Sequence, residues 1–138
     1  MQISLCSIKK VMDTQQTILL CEDEEFVARS YIRKLTLEGF SVVHAHNGAD
    51  GLKQIYELKP DLVILDLLMP VKTGFEVLAE LQNSEESIRN IPVIVASNLG
   101  QRVDIEEAQK LGAKDFLIKS NISLKELVEK VRRHLPTA

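Results

Sequence analysis

Short apolar runs alternate with longer amphipathic segments along most of this chain. Residues 62–65 and 92–96 are continuously apolar, which is typical of central strands buried on both faces of a sheet. Neither run approaches the length that a membrane span requires. The pattern predicts five strands, over residues 17–21, 41–45, 62–65, 92–96 and 115–119.

Between the strands, apolar residues recur every three or four positions, which predicts helices with one buried face. Five helices follow from this spacing: one with Ala28, Tyr31, Ile32 and Leu35 that stops at Gly39, one with Ala49, Leu52, Ile55 and Tyr56 that closes at Lys59 and Pro60, and three over residues 74–83, over 101–111, and from Ser123 to Pro136.

The segments without periodicity predict turns and caps. Asn47 and Gly48 are predicted to form a turn, and the polar residues 83–90 a loop. Ser123 is expected to cap the last helix, with Glu126 as its capping-box partner. Each helix is therefore expected to have defined ends.

Strict alternation of strands and helices determines the expected fold class. Right-handed crossovers between such units place all strands in parallel and cover both faces of the sheet with helices. We expect a doubly wound α/β domain over residues 17–138. Residues 1–16 lack the pattern and are expected to be a loosely ordered leader.

Composition narrows the class of protein. The 138 residues carry a formal net charge of −3 and no basic stripe, which weighs against nucleic acid as a direct ligand. Cys21 lies in an apolar run and Cys6 in the leader, so a disulfide is not expected. The chain also lacks the pattern of a signal peptide, which favours the cytoplasm.

Chemically reactive side chains follow the predicted strands at their carboxyl ends, which share one edge in a parallel sheet. They are Glu22 and Asp23 after the first strand, Asp66 after the third, Ser97 and Asn98 after the fourth, and Lys119 at the end of the fifth. Clustered carboxylates favour a divalent cation, and hard oxygen ligands favour Mg²⁺. The lysine and the serine suit the oxygens of a phosphoryl group, and a carboxylate is a competent nucleophile for making an aspartyl phosphate.

The chain resembles the receiver domain of two-component response regulators over about residues 17–135. The resemblance rests on several motifs in order: Glu22 and Asp23 after the first strand, Asp66 followed by Leu67, Leu68, Met69 and Pro70, Gly74 at the start of the third helix, Ser97 after the fourth strand, and Lys119 after the fifth. It implies a flavodoxin-like (βα)5 fold with strand order 2-1-3-4-5.

The resemblance also implies a metal site. Asp66 resembles the phosphoacceptor of the family. Asp23 and Asp66 resemble the direct Mg²⁺ ligands, together with the backbone carbonyl of Leu68. Glu22 resembles an acid that reaches the metal through water.

Three further residues resemble the family's switch and catalytic residues. Ser97 resembles the hydroxyl that bonds the phosphoryl group, and Phe116 the aromatic residue whose rotation is coupled to it. Lys119 resembles the conserved cation of the site. The role of Phe116 follows from the resemblance alone.

Four residues depart from the family pattern. Ser120 stands where a proline with a cis bond usually follows the lysine, and because a cis bond to a non-proline residue costs about 2.5–4 kcal/mol, a trans bond is expected. Asn98 replaces a small residue and would either bond a phosphoryl oxygen or crowd the site. Leu68 and Leu99 replace polar groups that orient the hydrolytic water, which predicts a long-lived phosphoryl group.

These observations favour a stand-alone receiver that accepts a phosphoryl group on Asp66 from a histidine kinase or phosphotransfer protein. It would catalyse only its own phosphorylation and dephosphorylation, so it is not an enzyme in the ordinary sense. The chain ends at Ala138 after the fifth helix, so output is expected through protein–protein contacts. The expected surface comprises the fourth helix, the fifth strand and the fifth helix.

Three alternatives accompany this hypothesis. Ser120, Asn98 and the two leucines favour a phosphorylation-independent interaction module with the same fold. A nucleotide binder has little support, because acids rather than a glycine-rich loop follow the first strand. His44 and His46 share one face of a strand, but no cysteine or third histidine accompanies them as a metal ligand.

Overall fold

The computed structural model describes residues 15–135 of the chain. Residues 1–14, which make up most of the predicted leader and include Cys6, lie outside the described part, as does Pro136. The division into a leader over 1–16 and a domain over 17–138 therefore stays a prediction. In the described part, no helix combines the length and the apolar character that a membrane crossing requires.

The predicted parallel sheet is confirmed, with the strand order β2-β1-β3-β4-β5. Its strands are β1 (Thr17–Cys21), β2 (Ser41–Ala45), β3 (Leu62–Leu65), β4 (Val93–Ser97) and β5 (Asp115–Ile118). β4 begins one residue later than predicted, because Pro92 has no N–H to donate. The Pro92 carbonyl nevertheless accepts a hydrogen bond from the Val63 N–H at 3.0 Å.

Six helices occur among residues 15–135. They are α1 (Glu25–Leu37), α2 (Gly48–Leu58), α3 (Gly74–Gln82), α4 (Glu86–Arg89), α5 (Arg102–Lys110) and α6 (Leu124–His134). Gly39 follows α1 at a φ of +98°, as expected of a glycine that ends a helix. The Ser123 hydroxyl accepts from the Glu126 N–H at 3.1 Å, which confirms the predicted cap of α6.

Two predictions about turns and loops were wrong. Asn47 and Gly48 do not form a separate turn: Asn47 is the N-cap of α2, and its side chain accepts from the Asp50 N–H at 2.8 Å. Residues 83–90 are not all loop, because they contain α4. The single apolar residue Ile88 supplies no periodicity, although its side chain is only 1% exposed and anchors α4 in the core.

Two apolar cores, one on each face of the sheet, hold the helices in place. On one face α2, α3, α4 and α5 contribute Ile55, Leu78, Ile88 and Ala108. On the other face α1 and α6 contribute side chains that include Leu35 and Leu127. Burying one such large side chain stabilises the fold by roughly 1.5–3 kcal/mol, so the helices are held firmly on both faces of the sheet.

Three details of the core bear on the sequence predictions. Cys21 is a free thiol that is fully buried, as expected. Tyr56 was predicted on the buried face of α2 but is 44% exposed, and its hydroxyl instead bonds the Ser84 hydroxyl after α3. In α5 only Ala108 is fully buried, and Val103 is 72% exposed. Helical spacing identifies a face but not how deeply each of its residues is buried.

Candidate functional site

Asp66 occupies the centre of the carboxyl edge of the sheet, immediately after β3. Its side chain is 4% exposed, and its backbone N–H donates to the Cys21 carbonyl of β1 at 3.0 Å. One carboxylate oxygen, Oδ1, accepts from the Leu68 N–H at 3.3 Å. The other oxygen, Oδ2, accepts from Lys119 Nζ at 3.1 Å. The predicted acid is therefore fixed by three neighbouring segments.

Lys119 brings a positive charge to this acid from the end of β5. Nζ donates to Glu22 Oε1 at 2.9 Å and to Oε2 at 3.2 Å, and its side chain is 5% exposed. Burial alone would lower the pKa of Lys119, but the hydrogen bonds and negative charges of Glu22 and Asp66 outweigh it and raise the pKa above 10.5. The ammonium is thus retained between two carboxylates.

Glu22 is the most deeply buried acid of the site, at 1% exposure. Burial raises the pKa of Glu22 from 4.5 to about 7, Lys119 opposes this rise, and the neighbouring Asp66 charge adds to it. The Glu22 carboxylate pairs directly with Lys119. Whether it also reaches a metal through water, as the resemblance implies, stays a prediction.

Two hydrogen bonds that no sequence pattern indicates hold the backbone of Glu22. Its N–H donates to the Ala45 carbonyl at 3.0 Å, and its carbonyl accepts from His44 Nε2 at 2.7 Å. Nε2 must carry a proton, because a carbonyl can only accept. The ring of His46 lies 4.0 Å from that of His44, centroid to centroid. Alternation placed both histidines on one strand face, but nothing in the sequence indicates that the partner is a backbone carbonyl.

A cluster of acids suitable for a divalent cation lies beside this ion pair. Carboxylate oxygens of Glu22, Asp23 and Asp66 lie within 4.8 Å of one another. Within residues 15–135, no other group of three acid, histidine or cysteine ligands comes this close together, and the pair His44 and His46 is not part of one. Hard oxygen donors with one exposed member, Asp23, fit Mg²⁺, which retains several of its waters.

The predicted switch hydroxyl lies at the same edge. Ser97 is fully buried, and its Oγ accepts from the Leu99 N–H at 3.3 Å. Its O–H remains able to donate to a phosphoryl oxygen, because Oγ is the acceptor in that bond. Phe116, in β5, is partly buried against one core. The structure brings Ser97 to the site edge, and the coupling of Phe116 to it stays a prediction.

Two of the four residues that depart from the family pattern, Asn98 and Ser120, contact each other. The Asn98 Oδ1 accepts from the Ser120 N–H at 3.0 Å. None of the described peptide bonds is cis, so the expected trans bond between Lys119 and Ser120 is confirmed. Leu68 is 56% exposed, and Leu99 is partly buried against one core. Asn98 thus has a partner already, without a phosphoryl group.

The loop from Asp66 to α3 is tightly constrained. A Cβ on Gly74 would lie 2.3 Å from the Asp66 carbonyl oxygen, so only glycine fits there. The Lys72 N–H donates to the Pro70 carbonyl at 2.8 Å and closes a three-residue γ-turn around Val71, whose φ is +71°. This backbone conformation is strained for a β-branched residue.

Comparison with known proteins agrees with this geometry. Residues 18–132 match the family model described as the response regulator receiver domain. The chain is 37% identical over 115 residues to response regulator RR06 of Streptococcus pneumoniae, covering 83% of this chain and 51% of that protein. It is 38% identical over 103 residues to chemotaxis protein CheY of Listeria monocytogenes, covering 73% of this chain and 84% of that protein.

A solved structure gives the same result. The Francisella response regulator 1452 receiver domain has a TM-score of 0.79 to this chain at 28% identity, over 86% of this chain and 95% of that one. The chain spans about half the length of RR06, at 51%, and 84% of CheY. The similarity therefore concerns one domain that occurs both in longer regulators and in short ones.

Proposed function

The chain belongs to the response regulator receiver domain family, and from this we propose that it accepts a phosphoryl group on Asp66 from a phosphohistidine of a histidine kinase or phosphotransfer protein. The observation that carries the proposal is the buried Asp66 carboxylate, which lies 3.1 Å from Lys119 Nζ and beside the acids Glu22 and Asp23. No ordinary structural role requires three acids, a lysine and a buried serine at one sheet edge.

In the proposed reaction, an Asp66 carboxylate oxygen attacks the phosphorus of the donor. The P–N bond breaks, and the imidazole nitrogen keeps the electron pair, so a donor ring that carries a proton on its other nitrogen leaves as neutral imidazole. Lys119 would then share its ammonium between the remaining Asp66 carbonyl oxygen and the new phosphoryl oxygens, and the Ser97 O–H would donate to one of those oxygens. These residues supply charge and orientation and do not exchange a proton with the donor.

Mg²⁺ is the proposed cofactor. Asp23, Asp66 and the Leu68 carbonyl would hold it, with Glu22 reaching it through water, and it would neutralise the developing charge of the phosphoryl oxygens. The oxygen donor set within 4.8 Å supports this assignment. Exposure of Asp23 leaves room for the waters that this ion retains.

Hydrolysis of the proposed aspartyl phosphate is expected to be slow. Leu68 is 56% exposed beside Asp66, and Leu99 follows the switch serine by two residues. Apolar side chains at these positions cannot hold a water in line for attack on phosphorus. The protein would therefore act as a phosphoacceptor with weak dephosphorylation of its own.

We propose that phosphorylation changes the surface formed by α5, β5 and α6, which correspond to the predicted fourth helix, fifth strand and fifth helix. This surface would select a downstream protein in the cytoplasm. Phe116 lies in this surface, and Asp115 of β5 pairs with Lys130 of α6 at 3.0 Å. The net charge of −3 makes direct binding of nucleic acid by this domain unfavourable. Because the chain spans about half of some relatives, the output of the whole protein is part of the proposal.

A phosphorylation-independent interaction module is the second candidate. The observation that favours it is the hydrogen bond between Ser120 and Asn98, which connects the loops after β4 and β5 without any phosphoryl group. If that bond prevents the loops from moving, the fold would present one fixed surface.

Incubation with acetyl phosphate and Mg²⁺, followed by intact-mass measurement, separates the two candidates. The proposed function predicts a gain of one phosphoryl group that Asp66→Asn abolishes. The matched control Asp104→Asn, in α5, should be labelled like the wild type. Absence of labelling with both acetyl phosphate and a cognate kinase would support the second candidate.

A further inference from the structure

We infer that Asn98 is a positioning residue, which holds Lys119 in place through the backbone of Ser120. This inference rests on the proposed function, since Lys119 is one of the groups assigned to phosphoryl transfer. It gives Asn98 a role that does not require contact with the phosphoryl group.

The first step is the backbone pairing around Lys119. The Lys119 N–H donates to the Ser97 carbonyl at 3.0 Å, which continues the β4–β5 pairing. The next N–H, that of Ser120, donates to Asn98 Oδ1 at 3.0 Å. The side chain of Asn98 therefore extends the pairing by one residue beyond the sheet.

The hydrogen bond requires a backbone donor at position 120 and a side-chain acceptor at position 98. Only a residue with a backbone N–H can donate from position 120, so proline there would abolish the bond. A residue at 98 needs a side-chain acceptor at the distance of the Asn98 amide oxygen, which alanine lacks. The two residues are therefore matched to each other.

The position of the Lys119 ammonium depends on how its backbone is held. Lys119 Nζ must reach both Glu22 at 2.9 Å and Asp66 at 3.1 Å while its side chain is 5% exposed. The Asn121 N–H bonds the Ile118 carbonyl at 2.9 Å, so Lys119 lies within a tight turn. The hydrogen bonds of the Lys119, Ser120 and Asn121 N–H groups limit the movement of the Lys119 Cα atom, from which the side chain extends. Loss of one of them would let the ammonium move away from Asp66.

Amide exchange tests the bond itself. In ¹⁵N-labelled protein without phosphodonor, the Ser120 amide should exchange about tenfold faster in Asn98→Ala than in the wild type, as loss of one hydrogen bond implies. Asn98→Asp keeps an acceptor oxygen and should retain most of the protection. Equal Ser120 exchange rates in the wild type and Asn98→Ala would overturn the inference.

Phosphorylation kinetics test the positioning role. With acetyl phosphate and Mg²⁺, Asn98→Ala and Ser120→Pro should each lower the rate at saturating donor by about three- to tenfold, with the same concentration of donor at half-maximal rate. Ser120→Ala keeps the backbone N–H and should match the wild type. Asn98→Asp should recover the rate that Asn98→Ala loses.

The double variant Asn98→Ala with Ser120→Pro provides a further test. Both changes remove the same bond, so the double variant should be no slower than the slower single variant. Additive losses, or a Ser120→Ala variant as slow as Ser120→Pro, would contradict the inference. If even the wild type takes up no phosphoryl group, the proposed function fails, whereas the exchange comparison still decides whether Asn98 holds the Ser120 amide.

Discussion

Gly48, the first residue of α2, packs so closely on Lys72 that a Cβ at Gly48 would lie 1.9 Å from the Lys72 carbonyl oxygen. Lys72 belongs to the loop that connects Asp66 to α3. The N-terminus of α2 therefore packs directly against the backbone of this loop. Changes at Gly48 are expected to act on the site without touching any acid.

Gly48→Ala should lower the free energy of unfolding by roughly 2–3 kcal/mol, because the new methyl group meets backbone that cannot move aside easily. Urea denaturation measures this difference. Gly100→Ala is the matched control, since its Cβ would meet only the end of the Ile118 side chain at 3.0 Å. An equally small loss in both variants would contradict the close packing of Gly48.

Val71→Gly should raise the free energy of unfolding by about 1 kcal/mol, because glycine relieves a strained φ of +71° at a cost in chain entropy that is smaller than the strain. Thermal and urea denaturation report the change. The control is Val103→Gly, at a valine inside α5 that is 72% exposed, compared with 80% for Val71, and this change should destabilise the fold. Destabilisation by both glycines would show that Val71 is not strained.

Asp115→Asn should reduce stability at neutral pH but not in acid. Partial burial raises the pKa of Asp115, but the hydrogen bonds from His134, Lys130 and the Phe116 N–H prevail and bring it below 3.8. The carboxylate therefore stabilises the fold above pH 3.8, and this contribution is lost as the pH falls through the lowered folded-state value.

Urea denaturation of the wild type and of Asp115→Asn, at about five pH values between pH 2.5 and pH 7, measures this loss. The difference between the two proteins should shrink in acid. A difference that stays constant over this range would mean that the charge of Asp115 does not contribute.

Asp23→Asn should weaken Mg²⁺ binding by about tenfold or more, because one charged ligand of the proposed site is lost. Isothermal titration measures the affinity. Stability without metal should stay equal or rise slightly, since an exposed acid is removed from among others. The neighbouring Glu24→Gln is the control, and an equal loss of affinity in both variants would argue against Asp23 as a direct ligand.

Leu68→Asn should accelerate loss of the phosphoryl group by roughly tenfold, because an amide beside Asp66 can orient the attacking water. Release of inorganic phosphate from the labelled protein after removal of donor gives the rate. Val71→Asn places the same amide on an exposed residue three positions further on and should change the rate little. An unchanged rate of phosphoryl loss in Leu68→Asn would contradict the proposal that Leu68 slows hydrolysis of the aspartyl phosphate.

The sequence predicted the sheet and the position of the acids at one sheet edge, because the strands follow from local apolar runs and the acids directly follow the strands. Residues 62–65 are apolar throughout, so the sequence predicts a buried strand that ends just before Asp66. Parallel strands then bring Glu22 and Lys119 to the same edge. The helix α4 was missed because its single apolar residue, Ile88, gives no helical periodicity.

The hydrogen-bond partners of individual side chains were harder to predict than the positions of those side chains in the fold. Asn98 and Ser120 each stood out as a departure, yet their hydrogen bond depends on two loops that meet only in the folded chain. The bond from His44 to the Glu22 carbonyl was likewise invisible, because backbone acceptors leave no pattern in the side chains.

The buried thiol of Cys21 makes the integrity of the acidic cluster observable by chemical labelling. Its pKa is raised to about 12 by burial and by the charges of Asp50 and Glu22. A Cβ on Gly51 would come 2.7 Å from its sulfur, so α2 closes directly over it. Because Cys21 is fully buried, we expect alkylating reagents to reach its sulfur only when α2 separates from β1. Glu22 follows Cys21 directly in the chain. The labelling rate of Cys21 is therefore expected to report how often the sheet edge that carries Glu22 and Asp66 opens.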